Sequence, residues 1–356
     1  MQAVKTTPQM VLLCAWRTVK EVSLILGEIV ICSPIQFNKL TEHFLITKEQ
    51  ILEIGDHFKL LLAETKHRGA FEQAYVGFSK LCCRLWTVET NDLNSLPMIW
   101  LRELINLISK DDLNNEKICA TRRSAGVPFM VQALITSELQ VGSTKSLMFC
   151  MTHLLQLCAA TDKTSESRTH ALNILRALFR CTDLNEAVGE FVAEGVITAI
   201  RGYDAVTWSE KNSATLLFAA LITRIFGVQR TKDSDNLNIR NKMTGRVFFL
   251  RYPKLYDYFL EELQKASDLI QQQQQTANKL HPLLLILSRL YPSALEGTES
   301  NLKLSEFIPY ISKCGGCNEM QTRYLAAKAI VALISKDEVI NMILTKCAEL
   351  VVSANI

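Results

Sequence analysis

Glycine and proline, the residues that most often form turns, are scarce: the 356-residue sequence has 14 Gly and 8 Pro. Folds made of many short strands need frequent turns, which these residues usually supply. Strand-like alternation of polar and apolar residues is missing too. Both deficits argue against a β-sandwich or barrel, whereas 48% hydrophobic and 21% charged residues are typical of a well-packed globular chain.

Uninterrupted apolar runs are short as well. No stretch reaches the roughly 18 uncharged apolar residues that a membrane-spanning helix requires, so we expect no membrane span. Near the start, the apolar run 11–16 is followed at once by Arg17 and Lys20, which argues against a secretory signal. The sequence also has no Asn-X-Ser/Thr glycosylation site. These deficits favour a protein of the cytosol.

The 11 cysteines are an odd number. Most of them lie in apolar helical stretches, so we predict buried free thiols in a reducing compartment and no disulfide framework. This prediction covers Cys14, Cys32, Cys82, Cys83, Cys119, Cys150, Cys158 and Cys181. Cys314 and Cys317 have C-x-x-C spacing, but a zinc site needs two further ligands and only Cys347 is near. We therefore predict a Gly-Gly turn between helices at this point.

Catalytic motifs are absent from the sequence. It contains no G-x-S-x-G, P-loop, G-x-G-x-x-G or H-E-x-x-H pattern, and its six histidines are scattered. A methyl-donor pocket needs a doubly wound α/β domain, for which no strands are available. A hydrolase or transferase is disfavoured because no nucleophile, base and orienting group can be assembled. We expect a non-catalytic chain that holds no cofactor and no metal.

Helical periodicity is what the sequence does contain. Leu172, Leu175 and Phe179 recur at i, i+3 and i+7, and similar patterns fill most of the chain. Short links between them predict an all-α fold, an α-solenoid of stacked HEAT/armadillo-like helical hairpins. The helix at 207–227 is apolar on all sides in its middle and should lie inside the stack. Further predicted helices are 11–30, 48–64, 70–88, 97–109, 116–137, 144–160, 184–201, 245–266, 280–290, 302–313, 319–335 and 337–352.

Positive charge is concentrated in residues 224–251. This segment has seven basic and two acidic residues, a net +5, although the whole chain carries only +3. Aromatic side chains are interleaved with the basic ones, so the segment could bind phosphates and stack on unpaired bases. The alternative, which stays open, is a solvated loop whose aromatics belong to the core. The basic residues are Arg224, Arg230, Lys232, Arg240, Lys242, Arg246 and Arg251.

A second candidate is Arg122-Arg123-Ser124-Ala125-Gly126-Val127-Pro128. We expect Gly126 and Pro128 to loosen or end a helix, which presents two guanidinium groups at a helix terminus. Such groups bind phosphate in a bidentate manner. The alternative is that they satisfy carbonyls at a helix C-terminus.

The sequence resembles the THADA/DUF2428 family along nearly its whole length. The similar stretches are 67–72, 121–129, 170–180, 208–230, 241–246 and 252–256, in the order and spacing of the family. The chain departs at Val127, where the family has Leu or Ile. Members of the family are several times longer than this chain. The chain is similar to their central portion only, as expected of a fragment, a short isoform or a partial gene model. We divide it into helical repeats at 1–227, a basic loop at 228–243 and further repeats at 244–356.

The resemblance implies a role in tRNA modification. The yeast relative is the non-catalytic partner of an FtsJ-like methyltransferase, and the two together methylate a ribose 2′-oxygen in the tRNA anticodon loop. The resemblance therefore implies tRNA and an FtsJ-like methyltransferase as partners, with room for other protein partners. Animal members have also been linked to a calcium pump, so the alternative is a protein-binding solenoid without RNA contact. The motif residues implied by the resemblance are Arg68, Ser124, Gly126, Pro128, Arg180 and Asn212. Arg68 and Arg180 either belong to the same basic surface or form ordinary salt bridges.

Overall fold

The computed structural model confirms the all-α fold, with helices that stack on one another as in an α-solenoid. Between the helices of the described part of the chain there are two isolated β-bridges and no strand. The residues that the structure describes are 6–35, 44–65, 67–89, 91–110, 126–227, 243–272, 278–292, 302–334 and 336–354.

The chain divides into two compact units. The first consists of Met1–Phe191 and Val206–Leu217, and the second of Val192–Ala205 and Phe218–Ile356. None of the described helices combines the length and the apolar character needed to cross a membrane.

The first unit is built from helices that alternate between two layers. α3 packs on α1 and α6, and α6 packs on α8, while α2, α5 and α7 form the other layer. The helices of this unit are α1 (Pro8–Cys32), α2 (Lys48–Glu64), α3 (Arg68–Trp86), α4 (Asn91–Asn94), α5 (Leu96–Ser109), α6 (Gly126–Leu139), α7 (Lys145–Ala159) and α8 (Ser165–Arg180).

Local capping explains where several of these helices begin. Thr47 and Gln50 form a capping box at α2, in which each side chain accepts a hydrogen bond from the other residue's backbone N–H. At α7 the buried carboxylate of Glu138 accepts hydrogen bonds from the Ser146 N–H and the Ser143 hydroxyl, both at 2.7 Å. These side chains satisfy N–H groups that a helix start would otherwise leave unpaired.

Glycines allow close approach between the layers. A Cβ on Gly77 of α3 would overlap the Ser23 carbonyl oxygen of α1 and lie 2.6 Å from the Phe58 ring of α2. A Cβ on Gly126 would overlap the Leu62 carbonyl oxygen of α2. Both positions hold glycine because a larger residue does not fit against the facing backbone.

The helix that Gly126 and Pro128 were expected to loosen or end was predicted to begin at 116, and residues 111–125 lie outside the described part of the chain. Gly126 is the first residue of α6, and Pro128 lies in its first turn. The first N–H groups of a helix have no intrahelical acceptor, so proline costs no hydrogen bond there.

The second unit contains an aromatic core. Phe248, Phe249, Phe259 and Phe307 are fully buried, and the rings of Phe249 and Phe307 stack with centroids 5.3 Å apart. Its helices are α9 (Val192–Arg201), the C-terminal part of α10 (Trp208–Phe226), α11 (Gly245–Arg251), α12 (Lys254–Gln271), α13 (Leu280–Leu287), α14 (Ile308–Cys314), α15 (Met320–Leu333) and α16 (Lys336–Ala354).

Three predictions made from periodicity need correction. The helix predicted at 245–266 is two helices, which are interrupted at Tyr252 and Pro253. The helix predicted at 184–201 begins with turns and a 3-10 segment, so its α-helical part is shorter. α10 is not enclosed on all sides, because a stripe of small side chains along it is exposed. This stripe consists of Asn212, Thr215, Ala219 and Thr223.

The cysteine predictions are only partly confirmed. Cys82, Cys150 and Cys181 are buried free thiols, and Cys83 and Cys158 are half-buried. Cys14 and Cys32 are exposed instead, on the outer face of α1. Cys119 lies outside the described residues. The predicted Gly-Gly turn after Cys314 is confirmed, since α14 ends there and α15 begins at Met320.

Candidate nucleic-acid interface

The described ends of the predicted basic loop are held in the second unit. α10 ends at Phe226, and Gly227 follows with a φ of 77°, a conformation that favours glycine. On the other side, the Met243 carbonyl accepts a hydrogen bond from the Tyr291 N–H at 3.0 Å. Thr244 then caps α11 by accepting from the Val247 N–H at 3.3 Å. Residues 228–242 of the basic loop lie outside the described part of the chain.

The aromatic residues near this segment form core. The Phe226 and Phe248 rings stack with centroids 6.4 Å apart, and Tyr252 meets Phe248 edge-on at 5.4 Å. All three residues are buried, and so is Phe249. Base stacking by these rings is therefore ruled out, and the alternative in which the aromatics belong to the core is the correct one.

Arginines surround this aromatic cluster. Burial raises the pKa of Tyr252, and the positive charges of Arg251 and Arg224 oppose that rise. The Arg251 guanidinium is also 5.5 Å from the Tyr252 ring. Arg289 lies 5.9 Å from the Phe226 ring on the same aromatic cluster. We call Arg224, Arg251 and Arg289 the arginine cluster.

Arg289 is the member whose environment is most unusual. It is half-buried, and loss of hydration lowers the pKa of its guanidinium. No carboxylate of the described residues forms a salt bridge with it. A partly desolvated cation without a counterion is favourably placed to bind an anion, because the dehydration cost is already met by folding.

Sequence reasoning missed Arg289 because it lies well beyond the basic segment. The contact between Met243 and Tyr291 brings the two regions together, and no local pattern encodes it. Arg246 is half-buried in the first turn of α11. Arg224 and Arg246 each already take part in another interaction. The exposed Arg251 and the half-buried Arg289 are therefore the arginines best placed to bind an anion.

The remaining predicted site residues are distributed as follows. Arg68 lies in the first turn of α3, is 82% exposed and pairs with Glu72 of the same helix at 2.7 Å, as the salt-bridge alternative expects. Arg180 is the exposed last residue of α8, and Asn212 lies in the exposed stripe of α10. The predicted residues outside the described part of the chain are Arg122, Arg123, Ser124, Arg230, Lys232, Arg240 and Lys242.

Within the described ranges, no group of three or more His, Cys, Asp or Glu side chains is arranged to hold a metal ion. What the described residues do offer is a stacked helical framework with a cation-rich surface in its second unit. These features define a helical-repeat protein with a candidate anion-binding surface.

Comparison with known families identifies the group. The family model described as THADA/TRM732, DUF2428 matches residues 1–209, and the model described as the C-terminal TPR repeats of Trm732 matches residues 211–355. The chain therefore belongs to the THADA/Trm732 family.

Curated relatives are similar over almost the whole chain. The relative from Drosophila melanogaster is 46% identical over 94% of this chain and 21% of its own length. The human relative is 44% identical over 95% of this chain and 18% of its own length. Both are named tRNA (32-2′-O)-methyltransferase regulator THADA.

A more distant relative in Schizosaccharomyces pombe is named tRNA (32-2′-O)-methyltransferase regulator trm732. It is 26% identical over 96% of this chain and 22% of its own length. The chain thus spans about a fifth of the length of the curated relatives it matches. No solved structure matches it.

Proposed function

We propose that this chain is a non-catalytic subunit that binds tRNA during ribose 2′-O-methylation of the anticodon loop. In this proposal it holds the tRNA in place for an FtsJ-like methyltransferase, which contributes the methyl donor and the catalytic groups. The relatives support a regulatory role, because they are named as regulators of a methyltransferase and not as the enzyme. The process would take place in the cytosol.

The arginine cluster is the observation that carries the RNA-binding part of the proposal. Arg224 and Arg251 are the first and last residues of the basic segment and are counted in its net charge of +5, and Arg289 adds a further positive charge. Guanidinium groups bind phosphate oxygens through two parallel hydrogen bonds, and each phosphate that is neutralised releases condensed counterions. Several such contacts give binding with dissociation constants of roughly 1–100 μM at physiological salt, without reading the base sequence.

Orientation is how a scaffold of this kind would accelerate the reaction. A tRNA held so that one ribose hydroxyl faces the methyl donor no longer loses its freedom of motion in the reactive step. Well-oriented reactants gain up to about 7–11 kcal/mol of barrier lowering from this effect, and part of that gain would accrue to a positioning subunit. The motif residues Arg122 and Arg123 are further proposed RNA contacts.

The competing function is protein binding without RNA contact, for example as a pump regulator. One observation favours it, namely the exposed apolar face of α1. Val22, Ile25 and Ile29 recur at i, i+3 and i+7 and are each about half exposed. Apolar patches of this kind mark protein-binding surfaces more often than RNA-binding ones.

A salt titration of tRNA binding separates the two functions. Labelled, unmodified tRNA is titrated with the chain at several salt concentrations, and binding is followed by fluorescence anisotropy. RNA binding through phosphates predicts a linear fall of log K with log salt, with a slope of about −0.7 to −0.9 per phosphate contact. Weak binding with no salt dependence would favour the protein-binding function instead.

A further inference from the structure

Two arginines of α8 stand together, and neither has an acidic partner among the described residues. Arg176 and Arg180 are four residues apart, so they lie one above the other on one face of the helix. Among the described residues, neither forms a salt bridge or a side-chain hydrogen bond. Burial lowers the pKa of Arg176, and the like charge of Arg180 lowers it further.

Several other cations of the same unit have a carboxylate partner. Arg168 makes a two-pronged ion pair with the buried Glu210, with Nε to Oε1 at 2.7 Å and Nη2 to Oε2 at 3.3 Å. The other pairs are Lys48 with Asp92, Lys59 with Asp56, Arg68 with Glu72, and Lys80 with Glu28. Arg176 and Arg180 differ from these cations in that two guanidinium groups lie one turn apart with no salt bridge to a described carboxylate.

Helix capping does not account for the pair. Arginine in the last turn of a helix is favoured by the helix dipole, which explains Arg180 in part. Arg176 lies a full turn earlier and is half-buried. The carbonyls of Ala177 and Leu178 already accept hydrogen bonds from the Cys181 N–H at 3.1 and 3.2 Å. These carbonyls therefore do not need a guanidinium group.

Uncharged polar groups continue from this end of α8 across the neighbouring helices. The side-chain amide of Gln132 in α6 lies 3.5 Å from the Cys181 Sγ. The same amide donates a hydrogen bond to the Tyr75 hydroxyl of α3 at 3.3 Å. Burial raises the pKa of Tyr75, so this hydroxyl stays neutral at physiological pH. These polar groups next to the C-terminal end of α8 thus carry no negative charge.

We infer that Arg176 and Arg180 form a phosphate-binding site that takes a backbone phosphate of RNA on the exposed face of α8. Two guanidinium groups offer forked donors to the non-bridging oxygens of a phosphodiester, and the anion removes the repulsion between the two cations. The site belongs to the first unit and is separate from the arginine cluster of the second. It rests on the proposed function, in that tRNA is the anion we expect.

The test compares two double variants of equal charge. Arg176→Gln with Arg180→Gln removes the site, and Arg102→Gln with Lys145→Gln removes two exposed cations from the other helix layer of the same unit. Binding of labelled, unmodified tRNA is measured by anisotropy across a salt series, and circular dichroism checks the fold. A third variant, Arg176→Lys with Arg180→Lys, keeps the charge but loses the forked donors.

We expect the Arg176 and Arg180 double variant to bind tRNA at least about tenfold more weakly, with a salt slope smaller by about one per lost phosphate contact. The control should retain most of its affinity, and the lysine variant should fall between them. Equal losses in both glutamine variants would mean a general charge effect and overturn the site. Unchanged binding in the Arg176 and Arg180 variant would overturn the site while leaving the proposed function intact.

Two other outcomes overturn the inference in different ways. If the unmodified chain binds no tRNA, the site and the RNA-binding part of the proposed function fail together. If tRNA binding is unaffected but the variant no longer binds the methyltransferase in a pull-down, the arginines hold an acidic protein surface and not RNA.

Discussion

Gly126→Ala is the substitution whose cost can be worked out most directly. The added Cβ would overlap the Leu62 carbonyl oxygen and lie 2.8 Å from the Leu62 carbonyl carbon, both of which are backbone atoms of α2. Carbon atoms pack at about 3.5–4.0 Å, so α6 must move away from α2 by roughly 1 Å. Overpacking of this kind costs about 1–3 kcal/mol and sometimes more, whereas alanine gains at most about 1 kcal/mol from helix propensity. Because the facing atoms are backbone, we take the upper end of this cost, about 3 kcal/mol, and expect a net loss of about 2 kcal/mol.

Tryptophan fluorescence in urea measures this loss of stability in the first unit, which contains α2 and α6. All four tryptophans belong to the first unit, so their fluorescence follows the unfolding of that unit alone. With a slope of roughly 2 kcal/mol per molar urea, the unfolding midpoint should fall by about 1 M. The matched control is Gly189→Ala, because a Cβ at Gly189 meets nothing within 4 Å. A Gly126 variant as stable as the Gly189 variant would refute the close contact between α6 and α2.

Three further predictions follow from the same structure. Arg168→Ala should destabilise the first unit by about 3 kcal/mol in the same urea assay, because it leaves the Glu210 carboxylate buried without its partner; a loss below about 1 kcal/mol would contradict this. Arg289→Gln should weaken tRNA binding several-fold and lower the salt slope by about one in the anisotropy titration, and an unchanged slope would remove Arg289 from the interface. Burial raises the pKa of Cys314 to about 12, so at pH 8 this thiol should resist thiol reagents until the protein unfolds. Rapid labelling of Cys314 in the folded protein would contradict its burial. The thiols expected to react quickly are Cys14, Cys32 and Cys347.

Local sequence signals predicted much of the secondary structure. The helix predicted at 48–64 coincides with α2, because Thr47 and Gln50 supply a capping box at its start. The break at Tyr252 and Pro253 was also readable, since proline disfavours a helical conformation in the residue before it. There the apolar periodicity continued across the break and hid it. Periodicity reports which side of a segment is buried and says less about where the helix is interrupted.

The candidate site depended on contacts that the sequence does not display. Arg289 joins the basic segment only because the Tyr291 N–H bonds to the Met243 carbonyl, nearly fifty residues earlier in the chain. The spacing of Arg176 and Arg180 was visible in the sequence. That no described carboxylate pairs with them depends on how the neighbouring helices pack. The interleaved aromatics near Phe248 suggested base stacking, but their rings are buried and therefore cannot stack on bases. Charge and spacing identify candidates, whereas burial and partners determine what each candidate can bind.

The central claim is that this chain helps a methyltransferase to act on tRNA. The most direct test mixes the purified chain with an FtsJ-like methyltransferase and unmodified tRNA, and measures 2′-O-methylation of the ribose at nucleotide 32. The methyltransferase alone and the methyltransferase with a full-length family member serve as controls. We predict methylation above that of the methyltransferase alone, and a lower yield with Arg289→Gln. Methylation that requires the full-length member and is not raised by this chain would contradict the claim.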